Sequence, residues 1–79
     1  MSTTEQQVFD LIRKTKGVAT VTRSSTWEEL GFDSLDVAEL IMELESQLHV
    51  AISDADAAQL KTAGDAIDYV ERAQTKAVV

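Results

Sequence analysis

"LGFDSLDVAELIMELE", Leu30 to Glu45, sets a serine between two aspartates where a helical pattern begins. Leu35, Val37, Ala38, Leu40, Ile41, Met42 and Leu44 are apolar, and Leu48 extends the series, so a helix is expected from about Ser34 to Leu48. These are too many apolar positions for one narrow buried stripe. Some must lie at the border of the core or on the surface. Asp36, Glu39 and Glu43 recur at helical spacing and share one exposed acidic stripe. The helix thus has an apolar face, an acidic face and an apolar border. Ser34 at its start has two readings. Its hydroxyl caps the helix, which is the commoner role on local physics alone, or it carries chemistry. Unpaired amides and the positive end of the helix dipole suit a capping hydroxyl and a phosphorylated one alike.

Toward the N-terminus, a first helix is expected to begin near Thr3 or Thr4, where Ser2/Glu5 and Thr4/Gln7 have capping-box spacing. Val8, Leu11 and Ile12, with Phe9 alongside, form its buried face. Lys14 and Lys16 suit its last turn, and Gly17 its end. A long connection follows, roughly Val18 to Asp33, with Val18 and Val21 as plugs into the core. Thr26 and Glu29 have capping-box spacing, so Trp27 to Leu30 reads as a single turn pinned by Trp27 and Leu30. Toward the C-terminus two shorter helices are expected. One is capped by Ser53 or Asp54 and buries Ala57 and Leu60. The other starts with Thr62 and Asp65 at cap spacing and carries Ala66, Ile67, Val70 and Ala73 at helical spacing. Gly64 in its first turn reads as a mild cost, and residues 75–79 as a frayed tail. No segment alternates like a strand, and no repeat or linker breaks the chain. The expectation is one all-α domain over residues 1–79, a four-helix bundle with one short helix and a long first loop.

The chain has 79 residues, no cysteine and a formal net charge of -7. Between Arg23 and Lys61 there is no lysine or arginine, so the middle of the sequence carries most of the negative field. Such a surface repels nucleic acid and attracts basic protein surfaces. The bland reading is a solvated acidic face. Apolar runs are too short for membrane insertion, and "MSTTEQQVFD" lacks the marks of a secretory signal, so the cytoplasm is the expected compartment. Catalysis within the chain is not expected. The sole histidine, His49, lies 15 residues from Ser34, about 22 Å along the axis if both lie on the same helix. That separation excludes a Ser–His pair. Asp54-x-Asp56 lacks the later ligands of a calcium loop, and no specific metal site is expected.

The stretch from Leu30 to Glu45 resembles the phosphopantetheine attachment site of acyl carrier proteins. Asp33-Ser34-Leu35 is the core of the resemblance, with Leu30-Gly31 before it and Glu39-Leu40 and Glu43-Leu44-Glu45 after it. It continues through Leu48, "AISDAD" and the closing "AIDYV", Ala66 to Val70, and so covers most of the chain. The resemblance implies an acyl-carrier-like bundle that is not an enzyme. Ser34 would carry 4′-phosphopantetheine, transferred from coenzyme A by a phosphopantetheinyl transferase, with Asp33 and Leu35 flanking it. Asp36, Ala38, Glu39, Met42 and Glu45 would meet acyl-transferring or condensing enzymes with basic docking surfaces, Leu35 sharing in the apolar patch. Val37, Leu40, Ile52, Ala57, Leu60 and Ala66 would line a pocket for the acyl cargo. The chain would work as a monomer. Ser46, Ala51, Ala55 and Ala58 stand where fatty-acid carriers are usually acidic, and Ser53 where a proline is common. Phe32 is more like polyketide-type carriers and Asp36 more like fatty-acid ones. These departures imply a specialised carrier for fatty acid or related lipid synthesis, with a polyketide or aminoacyl pathway as the alternative. The rival from another class is an unmodified acidic interaction module in which Ser34 only caps its helix.

Overall fold

Four helices follow one another in the computed structural model, which describes residues 3–18 and 20–77. The first, α1, spans Thr4–Lys16. Thr3 caps it: its side chain accepts from the Gln6 N–H, and the Gln6 side chain accepts from the Thr3 N–H. The capping box therefore falls between the two pairs expected from spacing, because Thr3 is the residue with extended backbone ahead of the first turn. Gly17 ends the helix in the left-handed conformation at φ 69°, and its N–H donates to the Arg13 carbonyl at 2.6 Å.

The second helix, α2, spans Ser34–Leu48 and buries Leu40, Ile41, Leu44 and Leu48. His49 ends it with φ 54°, which identifies this histidine as a left-handed helix end. The third, α3, is six residues, Asp54–Gln59, capped by Ser53, and none of its residues is buried. Ala57, expected inside, is half-buried.

The fourth, α4, spans Ala63–Ala77. It has 15 residues, as many as α2, so it is not a shorter helix, and the expected frayed tail is helical through Ala77. Val78 and Val79 lie outside the described residues. A strong start explains the length. Thr62 Oγ1 accepts from the Asp65 N–H, and the Asp65 carboxylate accepts from the N–H groups of Lys61 and Thr62. After Gly64 no glycine or proline interrupts the helix. Ala63, Ala66, Ile67 and Val70 are buried along it.

α1 packs on both α2 and α4. The long first loop covers the remaining side of the core and is tied at several points. Arg23 donates to Glu5 on α1 and to Asp68 on α4, each at 2.6 Å. The Gly64 N–H donates to the Arg23 carbonyl at 2.7 Å, and the Ala63 N–H to the Ser25 carbonyl at 3.0 Å. A Cβ at Gly64 would sit 2.7 Å from that Arg23 oxygen, so close backbone approach, not tolerance, explains the glycine. Thr26 and Glu29 form the expected box. Trp27 and Leu30 are buried with Val21 and Phe32, and the Trp27 and Phe32 rings pack at 5.7 Å between centroids.

Candidate functional site

The site is the turn that launches α2. Gly31, at φ 78°, turns the chain out of the Trp27–Leu30 turn, and Phe32 then enters the core. Asp33 takes extended backbone and caps the helix. Its carboxylate accepts from the Asp36 N–H at 2.9 Å, and the Asp36 carboxylate accepts from the Asp33 N–H at 3.1 Å. The capping reading of Ser34 is therefore corrected. Asp33, one residue earlier, has the backbone geometry a cap needs, and Ser34 is the first residue inside the helix. The Ser34 hydroxyl is exposed and makes no hydrogen bond among the described residues. The amides of Ser34 and Leu35 likewise have no acceptor there, as expected of a first helical turn. An exposed hydroxyl, two free N–H groups and the positive end of a helix dipole fit a serine-linked phosphodiester.

Charge around this turn is shared with α1. Lys16 Nζ lies 2.9 Å from Asp36 Oδ2. That hydrogen bond, with the one from the Asp33 N–H, holds the Asp36 carboxyl below the ordinary carboxylate range, and the same contact raises Lys16. By its sequence position Lys16 is only a cation at a helix end. Its partner is 20 residues away, and no local pattern announces it.

Along α2 the apolar border is on the surface. Leu35 is 78% exposed and Met42 67%, and Ala38, also exposed, lies between them on the same face. Glu39 is exposed beside them. Asp36 and Glu45 are less open. Asp36 is engaged by Lys16 and the capping box, and Glu45 accepts from the Ile52 N–H at 3.1 Å, tying down the chain beyond α2.

The six residues assigned to an acyl pocket are all in or against the core. Leu40 and Ala66 have 0% exposure, Ile52 and Leu60 are buried, and Val37 and Ala57 pack against them half-buried. An open cleft of about 810 Å³ lies elsewhere, between α3, α4 and the residues after α2, and of the six only Leu60 borders it. Tyr69 lines this cleft. Its hydroxyl donates to the Asp56 carboxylate at 2.6 Å, with the Ala51 carbonyl 3.3 Å away. This tie was not foreseen, although a tyrosine beside a buried helical stripe has a polar tip that needs a partner. Among the described residues no group of three His, Cys, Asp or Glu side chains could hold a metal ion. No helix among them is long and apolar enough to cross a membrane.

The family model described as a phosphopantetheine attachment site matches residues 6–70. The chain belongs to the acyl carrier protein family. It is 43% identical over 75 residues to the acyl carrier proteins of two Porphyromonas gingivalis strains, ATCC 33277 and W83, covering 91% of this chain and 96% of each of theirs. The crystal structure of an acyl carrier protein from Thermotoga maritima superposes with a TM-score of 0.79 at 29% identity, covering 89% of this chain and 85% of that one. The four-helix order with a long first loop is thus the acyl carrier fold. The role is that of a carrier and not of an enzyme, and its cofactor is phosphopantetheine. That role requires acyl cargo and the enzymes that load and unload it.

Proposed function

We propose that Ser34 is the residue that takes 4′-phosphopantetheine, and that the chain delivers acyl groups to enzymes of fatty acid or related lipid synthesis as a specialised carrier. The observation that carries the assignment is the Asp33–Asp36 capping box, which leaves the adjacent Ser34 hydroxyl exposed and without a partner among the described residues. Once attached, the arm supplies a thiol that holds acyl groups as thioesters. The chain's part is to present that arm. α2 offers Leu35, Ala38 and Met42 as an exposed apolar strip beside Glu39, a surface suited to brief docking on a basic partner. Val37, Leu40, Ile52, Ala57, Leu60 and Ala66 are the candidate pocket, and their closed packing means that cargo must part them to enter. The reading takes the chain as a cytoplasmic monomer, consistent with a net charge of -7 that keeps copies apart. Ser46, Ala51, Ala55 and Ala58, at positions where fatty-acid carriers are usually acidic, support a narrow set of partners.

The test is intact mass after incubation with coenzyme A and a broad-specificity phosphopantetheinyl transferase. One phosphopantetheine on the wild type and none on Ser34→Ala is the expected result. An unmodified wild type beside a modified control carrier would return the chain to the acidic-module reading, and modification of Ser34→Ala would move the attachment elsewhere.

A further inference from the structure

The acids that flank Ser34 are not equally available. Asp36 Oδ2 accepts from Lys16 at 2.9 Å and from the Asp33 N–H at 3.1 Å, and the side chain is only 19% exposed. The Lys16 stem lies along the same turn, its Cε 4.0 Å from where a Cβ on Gly31 would be. Glu39 differs. It is exposed on α2 next to Ala38, and no cation pairs with it among the described residues. A paired carboxylate presents a dipole to an approaching cation, whereas an unpaired one presents a full charge. Exchanging one ammonium for another at Asp36 gains only the difference between the two pairs.

We infer that Lys16 masks Asp36 and thereby acts as a specificity-determining residue: the basic face of a phosphopantetheinyl transferase is read by Glu39 first and reaches Asp36 only by displacing the Lys16 ammonium. This rests on Ser34 being the attachment point. Because Lys16 is itself partly exposed, the masking is modest, worth up to about five-fold in encounter. It selects for partners whose own cation can take over the Asp36 oxygen.

The experiment measures kcat/KM of phosphopantetheine transfer at low and high salt for wild type, Lys16→Met, Asp36→Asn and the double variant. Methionine keeps an apolar stem, and asparagine keeps an oxygen for the Asp33 N–H. Thermal melts of each chain accompany the rates. Lys16→Met should raise kcat/KM about two- to five-fold at low salt through KM, with the gain fading at high salt. Asp36→Asn should cost more in the Lys16→Met background than in the wild type. A purely structural Lys16 would instead give a slower variant. Unchanged or slower transfer by Lys16→Met, or an equal cost of Asp36→Asn in both backgrounds, overturns the masking alone. A wild type that is not modified at all overturns the attachment reading and the masking with it.

Discussion

The indole N–H of Trp27 donates to the Leu60 carbonyl across 2.7 Å, joining the first loop to the residue that closes α3. The bond is buried, so its acceptor has no ready access to water. Trp27→Phe keeps an aromatic ring but removes the donor. Urea unfolding should show a loss of about 1–3 kcal/mol. A loss below about 0.5 kcal/mol, the range of an ordinary surface substitution, would mean that the carbonyl finds another partner.

Asp33 and Ser34 should separate cleanly in stability. Asp33→Ala removes the cap of α2 and should cost about 0.5–2 kcal/mol. Ser34→Ala removes an exposed hydroxyl that has no partner among the described residues and should stay within about 0.5 kcal/mol of wild type. The same unfolding curves check both, and the opposite order would restore the cap to the serine.

Gly64→Ala is a case where helix propensity and packing oppose each other. Alanine is favoured over glycine by about 1 kcal/mol inside a helix. Here its Cβ would meet the Arg23 carbonyl oxygen at 2.7 Å and the Arg23 Cβ at 3.2 Å. The loop must move or the α4 start must shift, at about 1–3 kcal/mol, so packing wins and the variant should melt lower. A higher melting temperature would show that the loop yields freely.

Stability should fall at both ends of the pH scale. Asp36 is held below 3.8, mainly by the Lys16 hydrogen bond, and Glu29 below 4.5, mainly by the Thr26 N–H. Lowered carboxyls stabilise the fold above their ordinary values, and that contribution is lost as pH falls through the folded values. Tyr69 is raised above 10.0, first by its hydrogen bond to Asp56 and then by burial, and Lys16 is raised above 10.5. Their contributions are complete below those ordinary values and are lost as pH rises through the raised ones. Melts across pH should therefore show an acid arm below 3.8 that Lys16→Met shrinks. They should also show an alkaline arm above 10.0 that Tyr69→Phe shrinks. Curves that superpose with wild type would remove these contacts from solution.

Much of this was legible in the sequence. The bounds of α2 followed from its apolar run, the Thr26–Glu29 box from spacing, and the buried faces from periodicity. What spacing could not decide was competition between neighbours. Asp33 and Ser34 are both good caps, and the extended backbone of Asp33, together with the paired contacts to Asp36, settles the choice. The length of α4 was underestimated because its C-terminal residues lack an apolar stripe, yet nothing stops the helix. Lys16 with Asp36 and Tyr69 with Asp56 join different elements, 20 and 13 residues apart, so they depend on packing that local patterns do not carry. The open cleft leaves no local pattern for the same reason. Its walls come from α3, α4 and the turn at His49, which meet only in the fold.

The ties along the first loop have a consequence for Ser34. Closing a free loop costs entropy that grows with the logarithm of its length. Arg23, Ser25 and Trp27 each bond to α1, α4 or Leu60, so the segment before α2 is divided into short spans, each already closed. Few backbone torsions then remain to spread the position of the residue at its far end. A long connection therefore delivers Ser34 with little positional variance, and on the proposed attachment there the reach of the carrier comes from its phosphopantetheine arm and not from the chain beneath it.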